Sequence, residues 1–448
     1  MEEEHGDGRE SRAEHGDGKE VRRVVICGGG VIGASIAYHL MLLLAHAPQQ
    51  QGDEEQGETP TSQPTTTPEW QVTVVEKGGQ VASAASGKAG GFLALDWCDH
   101  SALRHLARPS FQLHATMASA FASESQQNYD YRPMDTLSLT CKAGLKRSAL
   151  LEQQRKEEKR REKMPWLPPS AALSLLPSWL DLSAIKAFSP LGNTETTAQL
   201  HPAKFTRVLI EEAQKLGNVQ LLLNTEVTNV AMENGKVVAV QISSSASPSS
   251  STPTTLPADV VVVAMGPWSK DACRWFPNLP PIHAQKAHSI LIRPSSPVSA
   301  HALFVEYTDT TRRSPEIYPR STGEVYICGE SDGRTPLPPH PNDVKPNEES
   351  CEALRSVASA LSPALSEGQV ECQQACYLPL SPDGLPLLGR IEGVEGAYVA
   401  AGHGCWGILN SPATGLAMAE LILYGSSHSI SLRPFDPSRK SVQVATRE

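Results

Sequence analysis

The most constraining feature of this chain is a junction near its N-terminal end, where an apolar run, VVIC, meets GGGVIG and passes directly into the helical pattern ASIAYHLMLLL. A strand, a glycine turn and a helix in immediate succession open a dinucleotide-binding α/β unit. The glycines let the main chain approach a pyrophosphate, whose charge sits on the unpaired amides of the helix N-terminus. Gly28, Gly30 and Gly33 have the G-x-G-x-x-G spacing, with Val31 and Ile32 opening the helix between them. Alone, that spacing is a weak signal. It is strengthened by a second strand, WQVTVVEKG, which ends in Glu76 and Lys77. A carboxylate at that strand end would accept hydrogen bonds from an adenosine ribose. Glu76 lies further from Gly33 than the ~20 residues usual in this unit. The Gln-, Thr- and Pro-rich segment 47–69 accounts for the surplus as a flexible insertion between the first helix and the second strand.

The 448 residues are 40% hydrophobic, enough for more than one core, which excludes wholesale disorder. Acids outnumber bases 49 to 39, and a net charge of −10 argues against a nucleic-acid partner. The nine cysteines are scattered without a C-x-x-C pair, so neither a disulfide scaffold nor a metal site is expected. No segment reaches the ~20 apolar residues of a membrane span. The acidic N-terminus lacks the order of a signal or transit peptide, and VQVATRE is not a peroxisomal signal. The expected location is cytoplasmic.

Residues 1–20 carry an imperfect duplication, EHGDGRE then EHGDGKE, and read as a disordered tail. Residues 243–257 read as a second flexible insertion, 151–163 as a solvated helix and 426–448 as a C-terminal tail. Helical spacing over 203–218 puts Val208, Leu209 and Ala213 on an apolar side and ends at Gly217. Strands flank the Asn234-Gly235 turn, and VVVV near residue 260 reads as a strand buried on both faces. Residues 396–422 read as a strand, a glycine loop and a helix starting near Pro412.

Beyond Glu76 the chain continues KGGQVASAASGKAGGFLALDW, a second loop of small residues. A nicotinamide-dependent dehydrogenase has no need of this loop, whereas an extended FAD runs over one towards its isoalloxazine ring. Together with AQLHPAKFTRVLIEEA, VVVAMGPWS, SPDGLPLLG and GHGCWGILNSPATGLAMAELI, in that order, this stretch resembles the D-amino-acid oxidase-like family of FAD oxidoreductases. That family includes glycine oxidase, sarcosine oxidase and D-amino-acid dehydrogenase. The resemblance implies an α/β fold with two interleaved parts. A Rossmann-type FAD-binding domain with a parallel sheet would take 21–105, 196–270 and 376–425, and a mixed-sheet α+β substrate domain 106–195 and 271–375. It further implies that Ala85, Ser86, Lys88, Ala89, Gly90 and Gly91 touch pyrophosphate and flavin, and that the Val227 backbone meets the adenine. Ala264, Gly266 and Trp268 would close over the cofactor, and Gly402, His403, Gly404, Gly407 and Ile408 would face the flavin pyrimidine edge. A helix N-terminus there would stabilise the negative charge that follows hydride arrival at N5.

The resemblance implies hydride transfer from a small amine or amino-acid-like substrate to flavin N5, with oxygen or another acceptor reoxidising the flavin. The family's carboxylate anchors are replaced, however. Leu378 stands where glycine oxidases and D-amino-acid dehydrogenases carry an arginine, Cys405 where glycine oxidases carry another, and Trp406 where sarcosine oxidases carry a lysine. Arg320 is the remaining candidate anchor for an anionic substrate, with Tyr318, His288 and Trp406 as candidate pocket walls. Cys376 has the offset before Asp383 at which sarcosine oxidases carry a flavin-linked cysteine. Non-covalent FAD is the expectation and a Cys376 link the alternative. No lysine occurs in VYICG, where sarcosine oxidases supply one for oxygen activation, so oxidase and dehydrogenase both stay open. Two other readings remain: a non-enzymatic FAD-binding redox-sensing or adaptor protein, and an NAD(P)-dependent dehydrogenase.

Overall fold

The computed structural model describes residues 20–47, 68–143, 152–156, 158–159, 173–245 and 253–440. The tail expected at 1–20, except Glu20, and the insertion expected at 47–69, except its ends, lie outside the described residues. Within 151–163, residues 152–156 and 158–159 are helical and mostly exposed.

The first sheet has six strands: β1 (Val21–Cys27), β2 (Glu69–Val75), β3 (Val219–Leu222), β4 (Val260–Val263), β5 (Leu387–Arg390) and β6 (Ala397–Ala401). Their order is β5-β6-β4-β1-β2-β3, parallel throughout except for β5 against β6. Both faces are covered, which explains the unbroken apolar runs of β1 and β4. Val24 and Ile26 face a core shared with α1 (Val31–Ala45), α2 (Arg104–Ala120), α3 (Pro202–Leu216) and α4 (Gly407–Tyr424). Val25 and Cys27 face the opposite core, under an antiparallel sheet of Thr225–Glu233, Lys236–Ser244 and Thr254–Pro257. The turn in that sheet places Asn234 at φ 51° and Gly235 at φ 77°, as a two-residue hairpin requires. Where α1 crosses α4, Ser35 Oγ donates to the Ser411 carbonyl at 2.8 Å, and a Cβ on Gly415 would come within 2.3 Å of that hydroxyl. Only glycine fits there.

The second sheet is eight-stranded and mixed. Its path runs Gln369–Leu380, His283–Arg293, Val325–Asp332, Glu316–Pro319, His301–Thr308, Asp135–Lys142 and Ile185–Gly192, with Arg312–Arg313 paired to His301–Thr308. His301–Thr308 and Asp135–Lys142 are parallel, and the other neighbours antiparallel. Helix Glu348–Leu361, capped by Asn347, packs Leu354, Val357 and Leu361 on one face of this sheet.

Several expected boundaries are displaced. Leu106, Phe111, Met117 and Tyr129, expected in the substrate part, belong to the core of the six-stranded sheet. Trp275, Phe276 and Leu279 likewise pack on its other face. Strand Gln369–Leu380 carries the eight-stranded sheet past the expected boundary at 376. Thr254–Pro257, expected in a flexible insertion, pairs as a strand. The expected tail is docked as far as Lys440: Phe435 is fully buried, and Arg439 holds Asp383 through contacts of 2.8 and 2.6 Å.

Helix α4 begins at Gly407 rather than near Pro412, which lies inside it. Proline has no N–H for the Ile408 carbonyl. His114 Nε2 donates to that carbonyl at 3.0 Å and to the Leu409 carbonyl at 3.1 Å, and Ser411 Oγ donates to Ile408 at 2.9 Å, so the freed acceptor is satisfied. No helix among the described residues is long and apolar enough to cross a membrane.

Candidate functional site

A cavity of about 520 Å³ is lined by residues of both sheets. At its floor β1 ends at Cys27 and the chain turns through Gly28, whose φ of +115° is open to glycine. A Cβ on Gly28 would lie 2.4 Å from the Ala264 carbonyl at the end of β4, and one on Gly33 would lie 2.0 Å from the Gly28 carbonyl. These glycines fix how the turn sits on the sheet and how α1 sits on the turn. Gly28, Gly30, Val31 and Ile32 line the cavity, whereas Gly33 packs behind it. Glu76, 8% exposed, organises this floor. Its Oε2 accepts from the Gly29 amide at 2.8 Å, and its Oε1 accepts from the Gly78 amide and the Ser83 hydroxyl, both at 2.7 Å. Ser86 Oγ accepts from the Val31 amide at 2.9 Å, tying the second small-residue loop to the N-terminus of α1.

One end of the cavity is bounded by Thr225, Glu226 and Val227. Lys77 pairs with Glu226 at 2.8 Å there. Gly266 and Trp268 also line the cavity, and Trp268 Nε1 donates to the Pro338 carbonyl at 2.8 Å, fastening a loop of the eight-stranded sheet over this side. At the other end α4 and the short turn Gly404–Trp406 that leads into it present a second helix N-terminus. Gly402 and Gly404 have φ of +85° and +58°. His403, 4% exposed, contacts Thr414 Oγ1 at 3.1 Å through Nε2, and burial lowers its pKa to about 3, so the ring is neutral.

The wall opposite is aromatic. Phe92 stacks on Tyr318 with centroids 5.4 Å apart, Trp97 meets Phe304 at 4.7 Å, and Trp406 reaches Trp97 at 6.5 Å. Tyr318 presses on Gly90, where a Cβ would come within 2.6 Å of its ring. The loop carrying Gly90 is pinned from the eight-stranded sheet: Tyr326 Oη donates to the Lys88 carbonyl at 3.0 Å and Gln374 Nε2 to the same oxygen at 3.2 Å.

Of the residues singled out in the sequence, Glu76, Lys77, Ala85, Ser86, Ala89, Gly90, Gly91, Val227, Ala264, Gly266 and Trp268 share this cavity. Gly402, His403, Gly404, Gly407, Ile408, Trp406, Tyr318, His288 and Cys376 line it too. Two of them turn away. Lys88 Nζ donates to the Ala375 carbonyl at 3.0 Å, and burial lowers its pKa. Arg320 pairs with Glu324 at 3.4 Å, donates to the Ala89 carbonyl at 3.1 Å and lies over the Tyr326 ring. It does not line the cavity, so the one anchor expected for an anionic substrate is a clamp on the loop instead. The sequence reading missed Phe92, Trp97, Phe304, Glu316 and Cys328, which complete the wall.

The residues present fit FAD. Glycines keep the turn clear of Cβ atoms, two helix N-termini open on the same space, and an acid stands at the end of β2. Among the described residues no cluster of His, Cys, Asp or Glu could hold a metal ion. A family profile described as FAD dependent oxidoreductase matches residues 23–421. An oxidoreductase of Schizosaccharomyces pombe is 32% identical over 429 residues, 93% of this chain and 98% of its own. The glycine oxidase of Pseudomonas putida is 27% identical over 222 residues, 50% of this chain and 54% of its own. Among solved structures, glycine oxidase from Geobacillus kaustophilus shares the fold, with a TM-score of 0.69 at 21% identity over 94% of this chain and 99% of that one.

Proposed function

We propose, for a chain that belongs to the DAO family of FAD-dependent oxidoreductases, that it holds FAD non-covalently along this cavity and oxidises a small amine or amino-acid-like substrate at its C–N bond. The observation that carries the reading is the continuity of one cavity from the Gly28–Gly30 turn to the aromatic wall. When bound, FAD supplies the two-electron chemistry, taking a hydride at N5 and passing the electrons to oxygen or another acceptor.

The six-stranded sheet and its helices form the cofactor half, and the eight-stranded sheet forms the substrate half. The amides opening α1 receive the pyrophosphate, and Glu76 meets the ribose while holding the glycine turn by its backbone. Val227 borders the adenine end, and Ser86, Ala89 and Gly90 carry the extended middle. The amides before α4 would hold the flavin pyrimidine edge, and the helix N-terminus there would stabilise negative charge on it. His403 is neutral, so that stabilisation comes from backbone dipoles rather than from an imidazolium. Phe92, Trp97, Phe304 and Tyr318 exclude water from the reacting end.

Anaerobic addition of amines and amino acids to the purified, FAD-loaded protein tests the reading, with loss of oxidised-flavin absorbance as the signal. A colourless protein that takes up no FAD sinks the cofactor placement. A yellow protein that no compound bleaches sinks the substrate class.

A further inference from the structure

The eight-stranded sheet brings an acid to the aromatic end of the cavity. Its register sets Ser289, Cys328 and Glu316 side by side on three neighbouring strands, all lining the cavity. Tyr318 Oη donates to Glu316 Oε2 at 2.6 Å, and Cys328 Sγ lies 3.6 Å from the same oxygen. Oε1 has no hydrogen-bond partner among the described residues. Next to this row stands His288, whose Nδ1 meets the Glu330 carbonyl at 3.3 Å and therefore carries the proton. Its Nε2, left as an acceptor, is buried without a partner. Glu316 Oε1 and His288 Nε2 are thus open acceptors at this end, and no lysine or arginine of the lining stands beside them.

Lys77 and Arg274 are the Lys and Arg side chains on the lining, and both stand at the opposite end. Lys77 is bound to Glu226, and Arg274 lies beside Asp271 and next to Trp275, whose Nε1 donates to Thr228. A substrate carboxylate entering the aromatic end would meet Glu316 with no cation to offset the repulsion. A substituted ammonium would meet the Glu316 carboxylate and the faces of Trp97, Phe304 and Trp406, an arrangement suited to charge pairing and cation–π attraction together.

We propose that Glu316 recognises the substrate's nitrogen, and that the substrate is an alkylated amine without a carboxylate beside that nitrogen, bound in its protonated form and passing its N–H proton to the Glu316 carboxylate before the C–N bond is oxidised. The inference rests on the oxidoreductase reading above and names its substrate class. Burial pushes the Glu316 carboxyl upward from its ordinary range, and a cation alongside offsets that cost, so the site favours a positively charged guest over a neutral one.

The test is calorimetric titration of the FAD-loaded protein with trimethylammonium and, separately, with acetate. The expected result is at least tenfold tighter binding of trimethylammonium. Glu316→Gln should lower trimethylammonium affinity at least tenfold at unchanged flavin content, and Glu316→Asp should restore part of it. Acetate binding as tightly as trimethylammonium in the unmodified protein overturns the proposal, and that comparison stands even if the variants fail to fold. Unchanged trimethylammonium affinity in Glu316→Gln overturns it as well. A protein that takes up no FAD overturns the cofactor reading and this proposal together, whereas FAD uptake without a cation preference overturns this proposal alone.

Discussion

Glu76 and Gly29 are joined by a 2.8 Å hydrogen bond from the Gly29 amide to Oε2 of the carboxylate, so the acid that closes β2 holds the turn that opens α1. The other oxygen is engaged by Gly78 and Ser83. One side chain therefore fixes the path of two loops before any ligand arrives.

Replacing Glu76 by Gln keeps the size and removes the charge and one set of acceptors. Hydrogen bonds to a charged group contribute ~1.5–3 kcal/mol, so FAD affinity should fall by about 10- to 100-fold. The measurement is flavin retained after gel filtration, with titration of the apoprotein. Full retention in Glu76→Gln would remove this carboxylate from the cofactor site.

Gly28 and Gly333 form a matched pair for backbone freedom. Gly28→Ala combines a positive φ with a 2.4 Å approach to the Ala264 carbonyl, while a Cβ on Gly333 meets nothing within 4 Å. The first should cost about 3 kcal/mol or more and the second stay within ~0.5 kcal/mol. Urea denaturation of the two variants distinguishes them.

His39, His114 and His403 are buried, and burial lowers their pKa to about 4, about 4 and about 3. The unfolded chain takes up protons on these rings below ~6.5 while the folded chain does not. Stability should therefore be complete above that pH, fall as pH drops from about 6.5 towards 4, and level off once the folded rings titrate. His39 and His114 each account for roughly 3 kcal/mol of that loss and His403, titrating lower, for roughly 5. His114→Gln, whose side-chain amide can still donate to the Ile408 carbonyl, should give a shallower melting-temperature profile between pH 6.5 and 4. An unchanged slope would show that this ring is not held neutral.

Cys376 lines the cavity, but burial pushes its thiol up to about 11 despite the opposing charge of Lys88. At neutral pH it stays protonated and is a poor nucleophile. Acid precipitation should leave the flavin in the supernatant, and Cys376→Ser should keep its flavin content. Flavin in the pellet would establish the covalent link.

The cradle was readable in the sequence because its requirements are local. Gly28 and Gly33 exist for close backbone approach, and Glu76 ends a strand whose pattern announces itself. The aromatic wall was not readable, because Phe92, Trp97, Phe304 and Tyr318 come from separate segments and meet through sheet register. Glu316 became visible only when its strand was seen to pair with the one carrying Cys328. Arg320 misled for a related reason. An arginine at a strand end reads identically whether it faces a cavity or clamps a loop, and only its contacts with Glu324 and Ala89 distinguish the two. Pro412 misplaced the start of α4 because the sequence does not show His114 arriving from α2 to satisfy the carbonyl that the proline leaves free.

The crossing of Ser35 on α1 with Ser411 and Gly415 on α4 joins the first α-helix of the described residues to the last. During synthesis α1 leaves the ribosome long before its partner exists, and β1 likewise waits for β4 and, beyond it, β6. Until α4 is made, α3 is the helix that covers α1, and the face that meets Ser411 and Gly415 waits for the last part of the described chain.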